Sequence, residues 1–361
     1  MWKNVIVHNI GIVSTLAGGP VRHVVIDGPR SVTVAEAPDA VLPGPDGVVV
    51  AVDATAICGS DMHFYDGDIP VGAGLPVGHE FVGTVVEAGP GVTRFAPGDR
   101  VLTASVAGCG HCEGCATGDP VTCVEGPKVF GAGALGGGQA SMVAVPSADF
   151  QLFRIPEGMD DASALLLTDN LNTGWIGAKR ADIPLGGTVA VLGLGAVGLC
   201  AVRAAFLLGA AQVFAADPVA GRRALAADSG ATPLEGPTVD AIREATAGRG
   251  VDAVIDAVAL DATLTDALTC VRPGGTVSVI GVHNLEPYPL PILTSLFRSV
   301  TLRMTTAPVH QTWKELVPLV LHGRLRTDGI FTHSFPLDEA PQAYAAVAER
   351  SAECIKVMMR P

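Results

Sequence analysis

The chain has 361 residues, of which 48% are apolar and 16% charged, and it carries a formal net charge of −13. That length and apolar content suit two ordinary cores and exclude a disordered chain. The acidic balance argues against nucleic acid or an anionic membrane as a partner, and no apolar run approaches the ~20 residues that span a bilayer.

Residues 1–20 hold a short apolar stretch broken by His8, Asn9 and Gly11. They read as an extension ahead of the first strand rather than as an export signal. From Val21 to Asp149, short β-branched or alternating runs such as "HVVID", "VVVAVDATAI" and "FVGTVVEAG" are cut by Gly and Pro, which predicts an all-β module. From Thr188 the pattern becomes strand, helix, strand, helix: "TVAVLG", "QVFAAD", "VDAVID" and "GTVSVIG" are each separated by an Ala/Leu-rich helical run. Such alternation predicts an α/β fold with a parallel sheet covered on both faces. "SVTLRM" reads as an edge strand able to pair with its copy in a second subunit. After Ala307 come a helix, a strand near "FTHSFP", a second helix and a last strand, "CIKVMM".

The stretch "GCGHCEGCATGDPVTC" runs Cys109-x2-Cys112-x2-Cys115-x7-Cys123 and holds half of the chain's eight cysteines. A closed tetrahedral zinc cage, an iron–sulfur ligand set and a disulfide pair all draw on such clusters. A ferredoxin-type run places its fourth cysteine after three residues and before Pro. Cys123 comes after seven and before Val, so zinc is the favoured reading, and a closed cage leaves no position for substrate. The other cysteines, Cys58, Cys200, Cys270 and Cys354, are scattered, as expected for a reducing, cytoplasmic compartment.

"VAVLGLGAVG" contains Gly193-x-Gly195-x-x-Gly198 after a predicted strand and at the opening of a predicted helix. Glycines there let a backbone approach a pyrophosphate, and the helix start supplies free N–H groups. Asp217 ends the next strand, where a carboxylate accepts bonds from ribose hydroxyls and repels a 2′-phosphate. NAD is therefore favoured over NADP, although Arg222 and Arg223 nearby could accommodate the phosphate.

Three separated pieces join these two motifs: "AICGSDMHFYDG", "PVGHEFVG" and "LLLTDNLNTGW". With "VGTVVEAGPGV", "GDRV" and "THSFPLDEAPQAY", they make the chain resemble the zinc-dependent medium-chain alcohol dehydrogenases from Val21 to Pro361. "VFGAGALGGGQA" looks like the formaldehyde dehydrogenase-like branch of that family.

The resemblance implies a catalytic zinc held by Cys58, His79 and Asp169, and a structural zinc held by Cys109, Cys112, Cys115 and Cys123. It implies a proton relay through Ser60 and His63, with Asp61 orienting His79 and Glu80 beside the metal as a transient ligand. Thr173 and Val197 match positions beside the nicotinamide, and Lys356 matches a basic position on the pyrophosphate. The residue after the ligand cysteine, a phosphate-binding Arg or His in some members, is Gly59 here. Phe64, Tyr65 and Trp175 flank these motifs, either as pocket lining or as packing. The implied architecture is a GroES-like β-barrel over 21–171, completed by 307–361, with a Rossmann doubly wound sheet over 172–306 inserted in it.

The expected activity is hydride transfer between an alcohol and NAD, with a homo-oligomer, a tetramer ahead of a dimer, as the assembly. Oxidation of a formaldehyde–glutathione adduct or of a polyol is the nearest alternative. A zinc-free quinone reductase would need neither Cys58, His79 nor the cysteine lobe. A non-catalytic cofactor-binding protein would have no use for every reactive position.

Overall fold

The computed structural model describes residues 20–351 and 353–361, so the extension expected over 1–20 lies, except for Pro20, outside the described residues. In the first part of the chain the Val48–Ile57 strand is central. Around it runs a seven-stranded sheet in the order Leu152–Arg154, Arg100–Thr103, Glu80–Ala88, Val48–Ile57, Lys356–Arg360 and Phe331–Pro336, with Met142–Val145 also paired to the central strand. Val48, Val50 and Val52 fill one core with Phe81, Phe95 and Phe130. Further along, Ala54 and Ala56 join a second core with Leu165 and Leu166 of the helix Asp161–Leu166. Register shifts after Val49 and Val52 mark bulges, which bend the strand between the two cores.

The last strand returns antiparallel to this one, with Val357 opposite Ile57 and Met358 opposite Ala56. That register sets Lys356 beside the residue that follows Ile57, which is Cys58. A three-stranded sheet of Ser31–Ala37, Val21–Gly28 and Leu75–Pro76 covers a third core, into which the helix Ala340–Ala348 places Tyr344.

A further sheet has six parallel strands in the order Thr232–Pro233, Gln212–Ala216, Thr188–Leu192, Val251–Asp256, Val271–Val279 and Thr301–Met304. Numbered along the chain this is 3-2-1-4-5-6, the doubly wound order. Val189 and Val191 face the core shared with the helices Asn170–Arg180 and Ala196–Leu207. Ala190 and Leu192 face the opposite core, with Ile242 and Leu268 of the helices Thr238–Ala245 and Asp261–Cys270. Coverage of both faces explains why "VAVL", Val189 to Leu192, is apolar throughout rather than alternating.

Thr301–Met304 is an edge strand, as expected. Beside it the helix Ile292–Phe297 has no buried residue and exposes Ile292, Leu293, Leu296 and Phe297. No helix among the described residues is long and apolar enough to cross a membrane.

All three aromatic residues flanking the motifs take part in packing. Trp175 donates its indole N–H to Glu315 at 2.8 Å, and the Tyr65 ring lies 5.3 Å from that of Tyr344. Phe64 packs on the same core as Tyr65. The helical period accounts for Trp175: Thr173 shares a face with Asp169, whereas Trp175 points to the helix Val309–Leu321.

Candidate active site and metal centres

Cys58 directly follows the central strand, His79 directly precedes the strand paired with it, which Glu80 begins, and Asp169 caps the helix Asn170–Arg180. Their donor atoms all lie within 4.8 Å of one another, and Cys58, His79 and Glu80 are buried. His79 Nε2 is 3.2 Å from Asp169 Oδ2, and Cys58 Sγ is 3.9 Å from the same oxygen. Burial disfavours a charged imidazole, yet the charges of Asp61 and Cys58 and the hydrogen bond to Asp169 raise the His79 pKa well above its ordinary value. Burial also raises the Cys58 thiol, reinforced by the Glu80 charge. A sulfur, an imidazole nitrogen and a carboxylate oxygen converging in a dry, anionic pocket fit a divalent zinc with one position open.

Each donor is held from behind. Asp61 Oδ1 lies 3.3 Å from His79 Nδ1, while its Oδ2 accepts the backbone N–H of Cys58 at 2.9 Å. The Thr173 hydroxyl donates to Asp169 Oδ1 at 2.7 Å. Glu80 accepts from Asn170 Nδ2 and Lys356 Nζ, both at 2.9 Å. Lys356, matched by resemblance to a pyrophosphate contact, is therefore paired with Glu80 beneath the metal centre, and it also donates to Ile57 O at 3.1 Å. Ser60 Oγ stands 3.4 Å from His79 Nε2, and His63 Nδ1 faces Asp68 at 3.2 Å near the surface. The sequence offered no signal for Lys356's partner; Gln139, which donates to Asp61 at 3.1 Å, stands inside "VFGAGALGGGQA", where nothing marks it as a partner of the site. Asn170 could have been found only by its place next to Asp169.

The glycine turn meets its three requirements separately. Gly193 has φ +84°, which only glycine adopts without strain. A Cβ on Gly198 would lie 1.8 Å from Gly193 O. A Cβ on Gly195 would meet no protein atom within 4 Å, so the protein leaves that side of the turn clear. That opening above a helix N-terminus fits a dinucleotide pyrophosphate. Asp217 Oδ2 accepts Leu194 N–H and Oδ1 accepts Val219 N–H, each at 2.8 Å, tying the carboxylate to the turn. Arg222 approaches Asp217 at 4.0 Å and donates to Cys354 O, whereas Arg223 is held by Asp217 O and Glu235. Val197 sits half-buried in the first turn of the following helix. Gly174 brings the Asp169-bearing helix onto that helix, because a Cβ there would lie 2.7 Å from Ala201 N.

In the lobe, the sulfurs of Cys109, Cys112, Cys115 and Cys123 lie within 4.8 Å of one another. Cys109 and Cys115 are 3.9 Å apart, close to the roughly 3.8 Å edge of a zinc–thiolate tetrahedron. Backbone N–H groups of Cys115 and Val124 lower Cys112 to about 6. Gly108 and Gly114 make the closure possible: a Cβ on the first would meet Cys115 Sγ at 2.5 Å, and on the second Thr122 O at 2.4 Å. The donor set fits zinc. His111 lies outside the four sulfurs, its Nδ1 on Cys109 O at 2.9 Å.

Residues 44–157 match the alcohol dehydrogenase GroES-like domain and residues 196–322 the zinc-binding dehydrogenase domain. A probable zinc-binding alcohol dehydrogenase of Mycobacterium tuberculosis is 60% identical over 340 residues, which cover 94% of this chain and 88% of that one. Alcohol dehydrogenase TADH from Thermus sp. ATN1 has a similar structure, with a TM-score of 0.87 at 36% identity over 94% of this chain and 99% of that one. A structure from Sinorhizobium meliloti 1021, bound to NADP, gives 0.82 at 30% identity over 95% and 100%. The chain belongs to the zinc-dependent medium-chain alcohol dehydrogenases.

Proposed function

We propose that this protein moves a hydride reversibly between an alcohol and NAD at a zinc held by Cys58, His79 and Asp169. The observation that carries this is the convergence of those three donors at the start of a helix packed directly against the glycine-turn helix. Bound zinc would polarise the alcohol oxygen and lower the pKa of its hydroxyl. Bound NAD would take the hydride. The chain's own residues do the rest. Ser60 Oγ, beside His79, receives the hydroxyl proton, and His63 with Asp68 passes it to water. Asp61 fixes His79 and Thr173 fixes Asp169, while Lys356 and Asn170 hold Glu80 within reach of the metal.

The test is NADH formation with a panel of alcohols, run with and without glutathione; activity that requires glutathione would move the assignment to the formaldehyde-adduct branch. Asp217 at the strand end favours NAD, with Arg222 beside it. In Asp217→Ser the kcat/KM ratio for NAD over NADP should fall by about tenfold or more; an unchanged ratio would refute the role.

The four-cysteine lobe is read as a second, structural zinc site. Elemental analysis should find two zincs per chain, and Cys112→Ser should lose one of them together with some stability. A single zinc that persists in Cys112→Ser would overturn this reading.

The proposed division is a catalytic part at 21–171 with 307–361 and a nucleotide part at 172–306, in line with the seven-stranded and six-stranded sheets. A cytoplasmic location accords with eight free thiols. We read the Thr301–Met304 edge and the apolar helix beside it as a surface for a second copy, with the tetramer as a pair of such dimers. Phe297→Asp should convert the oligomer to a smaller species by light scattering; a wild-type chain that is monomeric at micromolar concentration would contradict the assembly.

A further inference from the structure

Gln139 stands in "VFGAGALGGGQA" but has no role in any of the sites above, yet it is wholly buried against the metal centre. Its Nε2 donates to Ala56 O at 3.2 Å and to Asp61 Oδ2 at 3.1 Å, and its Oε1 accepts the Tyr344 hydroxyl at 2.9 Å. Both partners of Nε2 are acceptors only, so the amide has one workable orientation and Tyr344 must be the donor to it. The backbone is pinned as well: Gln139 N donates to Val77 O and Gln139 O accepts Val24 N–H. A Cβ on Gly78, the residue before His79, would lie 2.4 Å from Gln139 Cγ, so the side chain packs directly on the segment that carries the ligand.

The consequence falls on Asp61. With Oδ2 occupied by Cys58 N–H and Gln139, the other oxygen is left for His79 Nδ1 at 3.3 Å. That contact turns Nδ1 toward an oxygen with no other partner and leaves Nε2 toward the metal position. We propose that Gln139, aligned by Tyr344, is a positioning residue that sets the tautomer and ring plane of the ligand His79. The helix Ala340–Ala348 is thereby tied to the metal centre. This inference rests on the reading of Cys58, His79 and Asp169 as zinc ligands.

The experiment follows zinc release from the purified holoenzyme to a chromophoric chelator, beside the visible spectrum of the cobalt-substituted enzyme. Gln139→Leu should speed release from the catalytic site by about 10- to 100-fold and shift the cobalt spectrum, leaving the cysteine-cage zinc unchanged. Tyr344→Phe, which keeps the amide but frees its alignment, should speed release several-fold. Val24→Ala, in the same core, controls for loss of stability and should release zinc as the wild type does. If Gln139→Leu or Tyr344→Phe releases zinc no faster than Val24→Ala, with an unaltered spectrum, the inference fails while the zinc reading stands. Should Gln139→Leu not fold, Tyr344→Phe decides alone. A wild-type chain whose only zinc sits in the cysteine cage would overturn both.

Discussion

His79→Ala is expected to lower kcat/KM for alcohol oxidation by about 10³-fold or more and to reduce the zinc content from two per chain to one. Polarisation of a bound oxygen by a metal contributes several kcal/mol to the transition state, and each 1.36 kcal/mol is roughly tenfold in rate. Removal of the imidazole leaves only Cys58 and Asp169 around a position that needs three protein donors. It also strips Asp61 of the partner that faces its Oδ1. The cysteine cage draws its ligands from a separate loop, so its zinc serves as an internal control for folding. Elemental analysis and steady-state kinetics on one preparation check both parts. A one-zinc variant that retained near-normal kcat/KM would sink the assignment of the reacting centre.

Lys356→Met is expected to destabilise the fold by about 3–5 kcal/mol. Lys356 is 3% exposed and Glu80 fully buried, and their charges meet at 2.8 Å. Deletion of the ammonium strands a carboxylate that has no route to water, leaving Asn170 as its remaining donor. The pH dependence of the intact pair follows from the lysine. Burial acts to lower its pKa, but Glu80 and Cys58 more than compensate and raise it above 10.5. A raised lysine pKa means that the stabilisation is complete below 10.5 and is lost only as pH climbs through the folded value. Denaturant unfolding of the wild type should therefore show no loss of the pair's contribution between pH 6 and 9. The double variant Lys356→Met/Glu80→Gln should recover much of the loss. A Lys356→Met chain as stable as the wild type would show that Glu80 does not depend on the ion pair.

How much of this was legible in the residues differs from motif to motif. The glycine turn is local: the strand, the turn and the helix start are consecutive, so periodicity and Gly spacing carry the whole structure. The cysteine cage is local for the same reason, its four sulfurs lying on one short loop. Cys58, His79 and Asp169 are not consecutive, and only the resemblance joined them. Lys356 shows where that route stops. Its position in "CIKV" identified a basic residue, but its partner depends on the register of the last strand against the first long one. No feature of five residues near the C-terminus encodes such a pairing. Trp175 stayed open between pocket and packing because the helix Val309–Leu321, which receives its indole, lies more than a hundred residues further on.

The amino-acid order alone determined the two folding textures, the dinucleotide turn and the zinc-cage loop, because each is built from neighbours whose spacing and chemistry act over a few residues. Tertiary structure alone decided that Lys356 serves Glu80 and that Gln139 and Tyr344 stand behind Asp61. Those groups reach one another only once strands from both ends of the chain pair. In the dry space this creates, each buried donor and acceptor must find a partner wherever the chain has placed one.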